Sequence, residues 1–145
     1  MRFLILSCNT GEGHNSCGRA IKEYFEANSV YCEIRDALSF WSNQSSKIIS
    51  KGHVFVYRNL PKVFGASYRF EENHPPKTGQ DSLIYDILKN GCSKLYDYLL
   101  NEKYDGVISV HPFSAMMMTE IKKTKKINIP IYFVATDYTC SPGVN

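Results

Sequence analysis

The stretch Arg2-Phe-Leu-Ile-Leu-Ser7 runs without a break into Cys8-Asn-Thr-Gly-Glu-Gly-His14. An apolar-centred run, a turn carrying Gly11 and Gly13, a histidine and then a polar helix start read as strand, tight turn and helix. A continuous apolar strand is what a parallel sheet buried on both faces requires. The turn after such a strand lies at the carboxyl edge of the sheet, where open α/β domains bind ligands. Chemistry is expected at that edge, with His14 on it.

Outward from this stretch, Asn15 or Ser16 is expected to cap a helix. Its apolar stripe is Cys17, Ala20, Ile21, Tyr24 and Phe25, spaced i, i+3, i+4, i+7, i+8. Val30 to Ile34 reads as a second strand ending at Asp36, which completes a β-α-β unit. The middle is less regular, with helices expected over 37–50, 51–59 and 61–70, Pro61 being tolerated in a first turn. His74-Pro-Pro-Lys-Thr-Gly79 is a loop. Asp81 or Ser82 then caps a helix that turns Leu83, Ile84, Ile87, Leu88, Leu95, Tyr98 and Leu99 inward. Tyr104 to Val110 is a buried strand ending in His111-Pro112, and a helix follows over 114–123. Pro130 to Ala135 is another buried strand, ending in Thr136-Asp137-Tyr138. Strand–helix–strand order on both sides of a helical middle predicts an α/β, doubly wound parallel sheet of the Rossmann-like kind.

A chain of 145 residues is one domain with room for a real core. Apolar residues make up 43% and charged residues 21%, ordinary for a soluble globular protein. The net charge of +3 is too small to argue for nucleic acid. Cys8, Cys17, Cys32, Cys92 and Cys140 are odd in number and form no C-x-x-C pair, against a disulfide framework and a zinc ribbon. Reduced, mostly buried thiols of a cytosolic protein are expected. Leu4 to Leu6 is too short for a signal-peptide core, and no apolar run approaches the ~20 residues of a membrane span.

Three polar groups end three strands: His14 after the first, His111 after the third and Asp137 after the fourth. In a parallel sheet all three project to one edge and can converge. Histidine can act as a general base near neutral pH, and a carboxylate can orient it. A strand-end histidine serves as often as a satisfied hydrogen-bonding residue, so the argument rests on the three together. The Gly11-to-Ser16 turn is one glycine short of a dinucleotide fingerprint. Asp36 stands where a ribose-binding acid would, but His14 occupies the place of close pyrophosphate approach. No P-loop and no G-x-S-x-G elbow is present. His14, His111 and Asp137 suit zinc or iron by type, yet no H-x-x-x-H or H-x-x-E spacing supports a site. No metal and no cofactor is expected.

The segment 37–70 contains no carboxylate. It carries Lys47, Lys51, Arg58, Lys62 and Arg69 interleaved with Phe40, Trp41, Phe55, Tyr57, Phe64, Tyr68 and Phe70. Basic and aromatic residues in amphipathic helices mark a surface that rests on an anionic bilayer. Each basic residue near such a surface adds ~1 kcal/mol. The expected lipid contacts are Trp41, Lys47, Lys51, Phe55, Arg58, Lys62, Phe64 and Arg69. A solvated basic face over an aromatic core has the same composition. A nucleic-acid groove uses the same residue types, but no such motif occurs and no nucleic-acid partner is expected.

Gly11-Glu-Gly-His14, Val56-Tyr-Arg-Asn-Leu-Pro61-Lys-Val-Phe-Gly65, Ser109-Val-His-Pro-Phe113 and Ala135-Thr-Asp-Tyr-Thr139 follow one another in that order. Together they resemble the N-terminal domain of the monogalactosyldiacylglycerol synthase and processive diacylglycerol glucosyltransferase family, over essentially the whole chain. The resemblance implies the N-terminal half of a GT-B glycosyltransferase, which binds the lipid acceptor and the inner face of the cell membrane from the cytoplasm. A second domain binds the UDP-sugar donor, and a hexose passes to a lipid hydroxyl with inversion. By the same resemblance His14 is the base, and Gly11, Gly13, Asn15, His111, Asp137 and Tyr138 line the acceptor and donor cleft. Asp137 or His111 would set the tautomer or orientation of His14.

Two departures qualify the resemblance. Thr139 is followed by Cys140-Ser141-Pro142-Gly143-Val144 rather than by the histidine and tryptophan of many members, which leaves sugar and acceptor open. The chain also stops at Asn145, where a linker to the donor domain would begin, so the polypeptide alone is expected to fold but not to turn over. The rivals are the acceptor domain of a peptidoglycan-type transferase with a polyprenyl-linked acceptor, and a stand-alone lipid-binding or membrane-docking module.

Overall fold

The computed structural model describes residues 1–41 and 83–136, the side chains of residues 83–87 excepted. In chain order these form β1 (Arg2–Ser7), α1 (Glu12–Ala27), β2 (Tyr31–Asp36), a 3-10 turn (Ala37–Phe40), α2 (Leu83–Glu102), β3 (Gly106–Ser109), α3 (Pro112–Lys125) and β4 (Ile131–Phe133). All strand pairs are parallel and the order is β2-β1-β3-β4. In register, Leu6 faces Arg35 on one side and Ser109 on the other.

The sheet is covered on both faces, as the continuous apolar strands require. On one face Ile5, Cys32, Ile108 and Val110 meet Cys17, Ile21 and Phe25 of α1. On the other, Leu4, Leu6, Cys8 and Val107 meet Leu88, Leu95 and Leu99 of α2 and Met117, Met118 and Ile121 of α3. Alternation along β1 sends Leu4 and Leu6 to one layer and Ile5 to the other. The expected doubly wound Rossmann-like sheet is the observed one.

Several local expectations are corrected. Helix α1 starts at Glu12 with Gly11 as its N-cap in extended backbone, and no side chain caps it. Neither Asn15 nor Ser16 is the cap, so His14 lies inside the first turn. Ala20 and Tyr24 are not on the inner stripe, and Tyr24 is 68% exposed. The helix rests on the sheet through Gly18, where a Cβ would lie 3.4 Å from Ile5 and 3.7 Å from Val110. That contact line turns Tyr24 outward. Helix α3 begins at Pro112 rather than at 114, and β4 is shorter than expected, with Tyr132 and Phe133 exposed. Among the described residues β4 has a neighbour on one side only, and its three residues are not fully buried.

Of the helix expected over 37–50, residues 37–40 form the 3-10 turn. Asp36 caps this turn by accepting from the Leu38 N–H at 3.0 Å. The rest of that segment, the helices expected over 51–59 and 61–70, and the Asp81 or Ser82 cap lie outside the described residues. Helix α2 buries Leu88, Leu95 and Leu99 as its spacing predicts, and Cys92 with them. Its half-buried Tyr98 donates to Glu33 on β2 at 3.1 Å, beside Tyr104 at 2.7 Å, and Arg35 pairs with the same carboxylate. Burial opposes charge on Glu33, but these partners hold its carboxyl below the usual range. The cluster ties the β2 edge to α2.

Cys8, Cys32 and Cys92 are buried free thiols, and Cys17 is partly exposed. Burial pushes the Cys32 and Cys92 thiols up to about 11, so both stay protonated at neutral pH.

Candidate active site at the carboxyl edge

β1 leads to β2 on one side, and β3 lies on the other, so the edge between β1 and β3 is the point where the winding reverses. Ligands of open α/β sheets bind in that crevice. His14 follows β1 and His111 follows β3, and the structure brings them into contact. Their ring centroids are 4.4 Å apart at 64°, edge to face. Asp137 and Tyr138, expected at the same edge, lie outside the described residues.

The two histidines are held in opposite tautomers. His14 Nδ1 lies 2.9 Å from the Val110 carbonyl oxygen and 2.5 Å from Thr136 Oγ1. A carbonyl only accepts, so Nδ1 carries the hydrogen, and in the neutral ring Nε2 is the bare, basic nitrogen. Among the described residues Nε2 has no hydrogen-bond partner. His111 is the reverse. Its Nδ1 accepts from the Phe113 N–H at 3.1 Å, which caps α3. Nε2 therefore carries the hydrogen and donates to Thr10 Oγ1 at 2.8 Å. At 6% exposure His111 packs against His14 with both of its own ring nitrogens engaged.

An open hollow of about 400 Å³ adjoins this pair, lined by Gly13, His14, Cys17, Val134, Ala135 and Thr136. Neither Gly11 nor Gly13 has positive φ, and a Cβ on either would meet nothing within 4 Å. The fold does not demand glycine at these positions, and the space beside the first turn of α1 stays open. Asn15 belongs to a polar chain, its Nδ2 donating to Asn9 Oδ1 at 3.4 Å. Its Oδ1 accepts from Ser7 Oγ at 2.7 Å, and Asn9 Nδ2 donates to Asp36 Oδ2 at 3.1 Å. Asp36 is thereby engaged as a cap and a loop clamp. Among the described residues no three metal-ligating side chains come together.

The sequence profile of monogalactosyldiacylglycerol (MGDG) synthase matches residues 14–143, nearly the whole chain. The chain belongs to the MGDG synthase family. Membership places it among glycolipid glycosyltransferases, a membrane-associated group that moves a sugar to a lipid acceptor. No curated protein and no solved structure gives a significant match. Among the described residues no helix of this MGDG synthase family member is long and apolar enough to cross a membrane.

Of the residues expected on the membrane, Trp41 ends the 3-10 turn half-buried, and its carbonyl accepts from Lys94 Nζ at 3.2 Å. Lys47, Lys51, Phe55, Arg58, Lys62, Phe64 and Arg69 lie outside the described residues. Thr10, Val110 and Thr136 were not singled out by sequence reasoning. The available signal was position: each lies at or just beyond the carboxyl end of a buried strand.

Proposed function

We propose that this chain is the acceptor domain of an inverting hexosyltransferase that makes a glycolipid, with diacylglycerol as acceptor and a UDP-sugar as donor. The observation that carries the reading is His14: a histidine fixed through Nδ1, its Nε2 unpartnered among the described residues, beside an open hollow at the crevice of the sheet. Such a base must be oriented but not consumed by the protein, and His14 meets both conditions.

In the proposed reaction the acceptor hydroxyl gives its proton to His14 Nε2 as its oxygen bonds the anomeric carbon. The bond from that carbon to the diphosphate oxygen breaks, and UDP leaves with the electron pair. The free N–H groups in the first turn of α1, at Gly13 and beyond, favour the negative charge developing on the diphosphate. Gly11 and Gly13 leave room for that approach, and Asn15 and His111 hold the edge in shape. Asp137 and Tyr138 complete the cleft in this reading. A donor-binding domain supplies the surface for the nucleotide, and turnover requires it in addition to these 145 residues. The chain works at the cytoplasmic face of the cell membrane, resting there through Trp41 and the basic, aromatic segment from Lys47 to Arg69.

Co-sedimentation with vesicles tests the docking. Binding is expected to need anionic lipid, to weaken between low and moderate salt, and to increase when diacylglycerol is included. Absence of binding to any vesicle would overturn the membrane assignment and favour a soluble acceptor.

A further inference from the structure

We infer that Thr136 is a positioning residue for His14, doing with a hydroxyl and a neighbouring carbonyl what a carboxylate does in other imidazole bases. The inference rests on the proposed role of His14 as base. Three strand ends meet on one ring: β1 through α1 brings His14, β3 brings the Val110 carbonyl, and β4 brings Thr136. Two oxygens, at 2.9 and 2.5 Å, share the single hydrogen on Nδ1. That arrangement selects the tautomer with a bare Nε2, and it suits the charged form equally. When Nε2 takes the acceptor proton, positive charge spreads to Nδ1, where both oxygen dipoles already point.

Among the described residues the two groups on Nδ1 are a carbonyl and a hydroxyl, which together orient the ring. His111 completes the setting. It contacts the ring of His14 but has both nitrogens engaged by Phe113 and Thr10, so it does not compete for the Nδ1 hydrogen. Thr136 also lines the hollow, which links occupancy of the site to the position of the β4 end.

Thr136→Val removes the hydroxyl at nearly constant shape, and Thr136→Ser restores it. The first readout is long-range ¹H–¹⁵N NMR of the histidine rings in this chain. His14 is expected as the Nδ1–H form in the wild type and in Thr136→Ser, with a low-field, slowly exchanging Nδ1 proton. In Thr136→Val that proton moves upfield and exchanges faster. The second readout is turnover with a donor-binding domain attached. Thr136→Val is expected to lower kcat roughly ten- to a hundredfold, as for a lost hydrogen bond to a charged group. KM for the lipid should stay unchanged, and Thr136→Ser should recover most of the loss.

A wild-type spectrum with the hydrogen on His14 Nε2 would overturn the inference, whatever the variants do. So would unchanged ring signals and kcat in Thr136→Val while His14→Ala abolishes turnover, a result that leaves the base reading standing. The converse, altered ring signals in Thr136→Val with normal turnover in His14→Ala, upholds the positioning contact and removes the base reading.

Discussion

Replacing His14 by alanine, in an enzyme that joins this chain to a donor-binding domain, is expected to lower kcat by roughly 10²–10⁴-fold, the usual share of a general base. The expectation follows from where the ring's hydrogen bonds go. Nδ1 is spent on Val110 and Thr136, Nε2 is open among the described residues, and the neighbouring His111 is fixed in the opposite tautomer. No other described imidazole at this edge has a bare nitrogen to take over. KM for the donor should change little, because in the proposed reading most of the donor's contacts lie on a separate donor-binding domain. The fold should survive, since His14 is half-buried and the loss of its hydrogen bonds costs only about 1 kcal/mol. Steady-state transfer to lipid, with circular dichroism as the control, measures both. Near-normal turnover would remove His14 from the mechanism.

Leu6→Ala is expected to destabilise the chain by about 3 kcal/mol, within the range for a leucine emptied from a closed core. Leu6 is fully buried on β1, flanked by β2 and β3, and packs in the layer that contains α2 and α3. Its carbonyl also accepts from the Val110 N–H at 3.0 Å and from Ser114 Oγ at 3.0 Å, so the backbone there is pinned and closes poorly around a void. The control is Tyr24→Ala. An inner-stripe tyrosine would be costly to remove, whereas the exposed ring seen here should change stability by less than about 1 kcal/mol. Urea unfolding of the three proteins measures the difference. Equal losses for Leu6 and Tyr24 would contradict the packing described above.

The architecture was legible because its signals are long-range in pattern and simple in kind. Apolar runs at β1 and β3 and the inward spacing of Leu88, Leu95 and Leu99 leave few alternatives to a covered parallel sheet. The misses have one cause, contacts that residue type does not announce. Gly18 contributes no apolar side chain, yet it is buried against Ile5 of the sheet and Val110, while Ala20 and Tyr24 face outward. His111 is not among the common helix caps, yet it caps α3, which starts two residues before the expected position 114. Ser114 is instead buried, with its hydroxyl directed to the Leu6 and His111 carbonyls. Strand β4 reads as buried because Ile131 to Phe133 is apolar, but exposure is set by neighbours, not by composition.

At the site, His14 and His111 were legible as strand-end histidines that converge. Their division of labour was not. It depends on which nitrogen meets a carbonyl and which meets an N–H, and that is fixed by Val110 and Phe113 through backbone atoms. Among the described residues the Thr136 hydroxyl makes a contact on the His14 ring, and Asp137 lies outside them.

The most direct test of the central claim follows the His14 ring in this chain on bicelles with and without diacylglycerol. Diacylglycerol is expected to shift the Nε2 and Cε1 signals of His14, together with the signals of Gly13, Cys17 and Val134 to Thr136 around the hollow. Bicelle binding that persists while none of these signals responds to diacylglycerol would contradict that claim, and the acceptor would have to be sought elsewhere on the domain.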